Sequence, residues 1–133
     1  MIPTYGLTHL ALTVRDPRRA AAFYQHVFGS AIVFETDDMI QLNTPGSADA
    51  LVLERPSADR PDLPGCPGGI THLGFRLRNP ADLPAAVEAV RAAGGTVTEH
   101  GEFCPGEPYL FAKDPDGYTV EIWFEPDTPP ATM

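Results

Sequence analysis

Basic residues are scarce in this sequence: nine lysines and arginines stand against 18 aspartates and glutamates, which gives a net charge of −9. Nucleic-acid binding depends on basic surfaces that neutralise phosphates, so this balance argues against a nucleic-acid partner. Long hydrophobic runs are also missing, since no apolar stretch approaches the roughly 20 residues of a membrane span. We therefore expect neither nucleic acid nor a membrane to be a partner.

Cysteine is nearly absent: Cys66 and Cys104 are the only two, and each lies in a segment rich in proline and glycine. Their spacing matches no zinc site. Residues 1–5 lack the basic and hydrophobic regions of a secretory signal, so we expect a cytoplasmic protein without a disulfide. The length of 133 residues is that of one domain with a core of its own.

One stretch of twelve residues occurs twice. Gly6–Pro17 (GLTHLALTVRDP) returns 63 positions later as Gly69–Pro80 (GITHLGFRLRNP), with Gly, Thr, His, Leu, Arg and Pro identical at matching positions. Agreement of this extent in so short a chain indicates an internal duplication. We therefore interpret the protein as two copies of one unit, each with a histidine, His9 or His72, in an apolar strand.

The first copy, module 1 (about residues 5–54), has the pattern of a strand, a helix and three further strands. Asp16 before Pro17 is a helix start, and Gly29 fits the helix end. Alternation and turn residues predict strands at about 7–14, 32–36, 39–42 and 50–53.

Module 2 (about residues 70–125) follows a linker, residues 55–69, that is rich in proline and glycine. It repeats the order of module 1, with a helix at 81–93 and strands at about 70–77, 97–99, 109–113 and 118–124. The predicted fold is one α+β domain over residues 1–133, built from two βαβββ modules with pseudo-twofold symmetry. Because each sheet is too small to close alone, we expect the modules to form a curled mixed sheet around one cavity.

Three side chains with metal-binding chemistry lie on predicted strands. His9 and His72 occupy equivalent positions of the repeat, so the pseudo-twofold symmetry points both into the same cavity. Glu121 lies in an otherwise apolar last strand, where a lone carboxylate is costly to bury. Two histidines and one carboxylate on separate strands form a facial triad for a divalent metal ion. Taken singly, each has a structural alternative, a core histidine or a surface carboxylate.

The motifs around these residues resemble the vicinal oxygen chelate superfamily, which includes glyoxalase I, fosfomycin-resistance enzymes, extradiol dioxygenases and bleomycin-resistance proteins. The similar segments are residues 8–16, 22–29, 71–75 and 114–121 (DPDGYTVE), and together they span almost the whole domain. The resemblance implies a metal site made of His9, His72 and Glu121 that takes Mn, Ni, Fe, Co or Zn. It also implies that Glu121 acts as a catalytic base.

Individual branches of the superfamily differ from this chain. Extradiol dioxygenases have a tyrosine ten residues before the glutamate and a histidine base upstream of the second ligand, whereas this chain has Phe111 and no histidine in the linker. Glyoxalase I usually takes a fourth ligand from the last strand of the first unit; Glu54 is the nearest candidate, unless its register turns it outward. Fosfomycin-resistance enzymes bind a phosphonate with additional basic residues, for which only Arg76 and Lys113 are candidates.

The function that the resemblance implies is a divalent-metal enzyme of the glyoxalase or fosfomycin-resistance type. It would chelate a small oxygenated substrate for lyase, isomerase or thiol-transfer chemistry. Arg76 is expected to anchor an anionic group, and Tyr109, Phe111 and Trp123 to form apolar walls. A metal-free ligand-binding protein of the bleomycin-resistance kind and an extradiol dioxygenase remain as alternatives. A homodimer is expected, because related folds assemble side by side or exchange halves.

Overall fold

The computed structural model describes residues 1–127. Module 1 forms the five elements that the sequence predicts for it. Module 1 contains β1 (His9–Thr13), α1 (Pro17–Phe28), β2 (Ala31–Glu35), β3 (Met39–Asn43) and β4 (Ala50–Glu54). The Asp16 side chain accepts a 3.0 Å hydrogen bond from the Arg18 N–H, and Gly29 ends the helix with a φ of 67°. Both predicted caps are therefore confirmed.

Module 2 repeats the order of module 1, as predicted. It contains β5 (Leu73–Arg76), a 3-10 turn (Pro80–Asp82), α2 (Leu83–Ala92), β6 (Thr96–Glu102), β7 (Pro108–Lys113) and β8 (Thr119–Trp123). The α-helix begins two residues later than predicted, because Pro84 has no N–H and is tolerated only in a first helical turn. Asn79 instead caps the 3-10 turn, where its side chain accepts a 2.9 Å bond from the Ala81 N–H.

Strand pairing among residues 1–127 stays within each module. The first sheet has the order β1-β4-β3-β2 and the second β5-β8-β7-β6; β1 and β5 run parallel to their neighbours and the other pairs are antiparallel. The structure therefore has two open four-stranded sheets where one combined sheet was expected. Packing of α1 against α2 and a shared core join the modules instead. Neither helix has the length and apolarity needed to cross a membrane.

One hydrophobic core spans both modules. Its fully buried side chains include Phe23 and Tyr24 of α1, Leu53 of β4, Leu110 of β7 and Ile122 of β8. Because side chains alternate along a strand, their neighbours lie on the opposite face of each sheet. That second face is more exposed than the helix-covered face, and it carries the candidate site residues.

A buried polar contact ties the two modules together. The Tyr24 hydroxyl of α1 donates a 2.8 Å hydrogen bond to the Asp114 carboxylate, which also accepts the backbone N–H groups of residues 116–118 at 2.9 to 3.0 Å. Burial raises the pKa of the Asp114 carboxyl and that of the Tyr24 hydroxyl. The Asp116 carboxylate accepts the Arg15 backbone N–H at 2.9 Å. The turn between β7 and β8 is thus anchored at α1 and the segment that precedes it.

The linker docks on the same turn. It buries Pro64, and the next residue, Gly65, has a φ of +83°. A Cβ atom on Gly65 would lie 2.2 Å from the carbonyl oxygen of Asp116. Only glycine combines this backbone conformation with so close an approach. The linker therefore packs on module 2 over part of its length.

Gly65→Ala is expected to lower the free energy of unfolding by about 2 kcal/mol or more, because the added Cβ clashes with Asp116 and strains the backbone. Gly68→Ala is the matched control, since Gly68 also has a positive φ, +60°, but its Cβ would meet open space. That control should cost about 1 kcal/mol. Urea unfolding measures both, and equal losses would show that the Gly65 contact does not hold the linker.

Tyr24→Phe removes a donor from the buried Asp114 carboxylate, so the pKa of Asp114 rises further above its ordinary value. An acid whose folded-state pKa is raised destabilises the fold while it is ionised, and this cost disappears as the pH falls through that pKa. We therefore expect a loss of about 1–3 kcal/mol at neutral pH, which shrinks in urea unfolding at progressively lower pH.

The control for this prediction is Tyr118→Phe, because the Tyr118 hydroxyl donates a 2.6 Å bond to a neutral acceptor, the Thr13 carbonyl oxygen. Its stability loss should be the same at each acidic pH. A loss that does not change with pH in Tyr24→Phe would contradict the assignment of its effect to the Asp114 charge.

Candidate functional site

Glu121 and His72 form the centre of the candidate site. Glu121 lies on β8, paired with Gly74 of β5 on one side and with Phe111 of β7 on the other. His72 directly precedes β5, and its Nε2 lies 3.0 Å from Oε2 of Glu121. The His72 side chain is 37% exposed and that of Glu121 only 12%. The imidazole gives the largely desolvated carboxylate a hydrogen-bonding partner, which offsets part of its burial cost.

Two further contacts orient the His72 ring. Oγ1 of Thr71 lies 2.9 Å from Nδ1, and the ring of Phe111 stands edge-on to it at 5.2 Å between centroids. A partner on one ring nitrogen fixes the role of the other, so Thr71 leaves Nε2 to face Glu121. Sequence reasoning missed this role of Thr71, although the repeat carries a signal for it: Thr8 precedes His9 as Thr71 precedes His72.

His9 begins β1 and its side chain is exposed. Among residues 1–127, no three His, Cys, Asp or Glu side chains lie close enough to hold a metal ion, so His9 does not join the His72–Glu121 pair. His9 and His72 do line one open cavity of about 540 Å³. The chemistry of these three side chains, two imidazoles and a carboxylate, therefore suits a divalent metal ion. Within a single chain, however, only His72 and Glu121 lie together.

The sheet register bears on the fourth ligand expected by comparison with glyoxalase I. Strands β1 and β4 pair Ala11 with Val52, and β5 and β8 pair Gly74, the equivalent of Ala11, with Glu121. Val52 is therefore the counterpart of Glu121 in module 1. Glu54 lies two residues further along β4, on the same face as Val52. The position that matches Glu121 thus holds an apolar side chain.

Arg76, expected to anchor an anion, is held by the C-terminal segment. Its Nη2 donates to the Glu125 carbonyl oxygen at 2.7 Å and lies 3.3 Å from a carboxylate oxygen of Asp127. The guanidinium carbon is 5.9 Å from the centroid of the Trp123 ring. These contacts pair the charge of Arg76 with a carboxylate and lay its side chain along Trp123.

A row of rings leads from His72 towards the loop between β6 and β7. Phe111 contacts His72 as described, Tyr109 stands at 5.7 Å from Phe111, and Phe103 stacks on Tyr109 at 4.1 Å. The Tyr109 hydroxyl donates a 2.8 Å bond to Glu99, which raises the pKa of that hydroxyl. Phe103 was not predicted as a site residue, because it lies in a Pro/Gly-rich loop without strand periodicity.

The cavity of about 540 Å³ is mainly apolar. Its lining includes Leu10, Leu42, Leu51, Ile70, Leu73 and Phe75. On the polar side of the cavity, the Asp49 carboxylate accepts the Thr44 N–H at 2.7 Å and lies 3.4 Å from the Asn43 amide nitrogen. Sequence reasoning did not find these residues, because they come from strands and loops of both modules that only tertiary contacts bring together.

Comparison with protein families gives a match over most of the chain. Residues 6–122 match the family model described as "Glyoxalase/Bleomycin resistance protein/Dioxygenase superfamily". Comparison with curated proteins gives no match.

Several solved structures have the same fold. A glyoxalase-related enzyme from Fulvimarina pelagi is 23% identical, with a TM-score of 0.74 over 92% of this chain and 89% of that one. Lactoylglutathione lyase from Agrobacterium tumefaciens is 20% identical, with a TM-score of 0.69 over 92% and 96%. A mutant of the fosfomycin resistance protein FosX from Listeria monocytogenes, complexed with Mn(II) and a dihydroxypropylphosphonic acid, is 16% identical, with a TM-score of 0.72 over 90% of each chain. At these identities the likeness shows the shared fold alone.

Proposed function

Because the chain belongs to the glyoxalase/bleomycin resistance protein/dioxygenase superfamily, we propose that it is a divalent-metal-dependent enzyme of the glyoxalase or fosfomycin-resistance type. It acts on a small oxygenated molecule by lyase, isomerase or thiol-transfer chemistry. The observation that carries this proposal is the 3.0 Å contact of His72 Nε2 with Glu121 Oε2, beside a cavity that His9 and His72 share.

The proposed metal ligands are His9, His72 and Glu121, for an ion of Mn, Ni, Fe, Co or Zn. Two imidazoles and a carboxylate suit such ions and leave coordination positions for a substrate. When bound, the ion supplies Lewis-acid polarisation of substrate oxygens. The Mn(II) complex of FosX supports a divalent ion in this fold. Thr71 assists by holding Nδ1 of His72, which leaves Nε2 for coordination.

Glu121 is the proposed catalytic base. Its carboxylate is 12% exposed, and a carboxylate held in place beside a substrate is one of the groups that take up a proton in general base catalysis. His72 Nε2 lies 3.0 Å from this carboxylate, so both groups face the position where the ion would bind. Tyr109, Phe111 and Trp123 lie outside the lining of the cavity of about 540 Å³, and they are the proposed walls of the substrate site on its Glu121 side. Arg76 extends this wall over Trp123 while its charge is paired with Asp127.

A metal-free ligand-binding protein is the second candidate. It is favoured by one observation: within residues 1–127 the three proposed ligands do not form one cluster, and His72 and Glu121 satisfy each other. The dioxygenase alternative has less support, because Phe111, paired directly with Glu121, has no hydroxyl where that branch has a tyrosine.

His72→Ala and Glu121→Gln are each expected to reduce bound metal from about one ion per chain to a small fraction, because each removes one of three ligands. Elemental analysis after equilibration with each of the five metals measures this. His100→Ala is the matched control, since His100 is exposed on β6 and should leave metal content unchanged. Full metal content in His72→Ala would refute the ligand assignment, and an unaltered protein that takes up no metal would favour the metal-free candidate.

A homodimer is proposed as the working assembly. Edge strand β2 exposes Ile32, Val33 and Phe34 by 41% to 54%, and Leu7 and Ile70 are exposed by 98% and 60%. Exposed apolar edges of this kind are usually covered in the native assembly. A second copy would cover them and would offer the His9 that one chain does not bring to the His72–Glu121 pair.

Light scattering is expected to give about twice the chain mass of 14.3 kDa. Val33→Lys places a charge on the apolar edge and should shift the mass towards the monomer. Thr98→Lys on β6, the polar edge strand of the other sheet, is the control and should not. A monomeric mass for the unaltered protein would contradict the proposed assembly.

A further inference from the structure

We infer that the part of the substrate bound by the side chains of this cavity is small, uncharged and largely apolar, and that these side chains discriminate against carboxylates and phosphonates. The inference rests on the proposed function, because it names the substrate class for the same cavity. It separates this chain from the FosX relative, whose bound phosphonic acid is an anion.

The first argument is the charge of the cavity of about 540 Å³. Within the described residues 1–127, no lysine or arginine lines it. Its acidic side chain is Asp49, which accepts bonds from the Thr44 N–H and the Asn43 amide and so is held in place. An anion bound by these side chains, away from the proposed ion, would lose water, meet no cationic side chain of the lining and lie near a carboxylate, which is unfavourable on each count.

The second argument is that the cations of the neighbouring sheet face already have partners. Arg76 binds the Glu125 carbonyl oxygen and the Asp127 carboxylate. The ammonium of Lys113 donates a 2.5 Å bond to Thr119 Oγ1. An anionic substrate would have to break the pair of Arg76 with Asp127 before it gained a guanidinium.

The third argument is the apolar surface that the cavity offers instead. Leucine, isoleucine and phenylalanine side chains dominate its lining, and beyond His72 the rings of Phe111, Tyr109 and Phe103 continue the apolar surface. A volume of about 540 Å³ lies in the range of ordinary small-molecule sites. Apolar contact therefore supplies the binding energy, and the two histidines are left to contact the polar end of the ligand.

Mandelamide and mandelate test this inference directly. Both have a phenyl ring and two vicinal oxygens, and they differ in that mandelate carries a negative charge. Calorimetric titration of metal-depleted protein is expected to give mandelamide an affinity at least about tenfold higher than that of mandelate. Mandelate binding as tightly, or no binding of mandelamide at millimolar concentration, would overturn the inference.

A cation placed at the cavity should reverse this preference. Thr8 lines the cavity and is half-buried, and it is not one of the apolar residues assigned to the dimer contact, so Thr8→Arg places a guanidinium at the cavity. Thr8→Gln is the control without the charge. Mandelate should gain about tenfold in affinity in the arginine variant and stay weak in the glutamine variant. Equal effects of the two variants would show that charge does not determine the selectivity.

These measurements are independent of the metal proposal, because they use metal-depleted protein and a binding readout. If metal analysis finds no bound ion but mandelamide is still preferred, the enzyme proposal fails and the substrate class stands. If metal binds stoichiometrically but mandelate is preferred, the substrate class fails and the metal proposal stands.

Discussion

The hydrogen bond from Tyr24 to the buried Asp114 carboxylate is the contact on which the rest of this structure depends. Tyr24 belongs to the helix of module 1, and Asp114 to the turn between the last two strands of module 2. A buried carboxylate is tolerated only when donors surround it, and Asp114 has the hydroxyl and three backbone N–H groups. Since this turn leads into β8, the same contact sets the position of Glu121 against module 1.

The duplication produced two modules of similar fold, but the candidate site that they form is asymmetric. His9 and His72 keep equivalent places in the two modules, while Val52 occupies in module 1 the place of Glu121 in module 2. The carboxylate holds the imidazole of His72, and Thr71 completes its orientation. Without a matching carboxylate, the His9 side of the molecule contributes mainly apolar surface. Module 2 therefore carries most of the polar chemistry, and module 1 carries much of the cavity wall.

Solved structures that are 16% to 23% identical to this chain have the same fold, so the fold tolerates large changes in sequence. Among the described residues of this chain, no lysine or arginine lines the cavity. The guanidinium charge of Arg76 is not directed at the cavity either, because it is paired with Asp127. In such a fold, ligand selectivity depends on a few side chains that line the cavity, while the shared core preserves the fold itself.

Much of the fold could be predicted because it depends on contacts between residues that are close in sequence. Asp16 and Gly29 delimit α1 through their own backbone and side-chain geometry, and the repeat alone identified His9 and His72 as equivalent. The register of the strands and the packing of the two modules could not be predicted from the sequence in this way. Whether Val52 or Glu54 matches Glu121 depends on how β1 pairs with β4, because a shift of two residues would exchange them without turning any side chain to the other face. The separation of His9 from the His72–Glu121 pair could not be predicted either, because it depends on how the helices pack across the core. The volumes of the packed side chains determine how the two sheets meet.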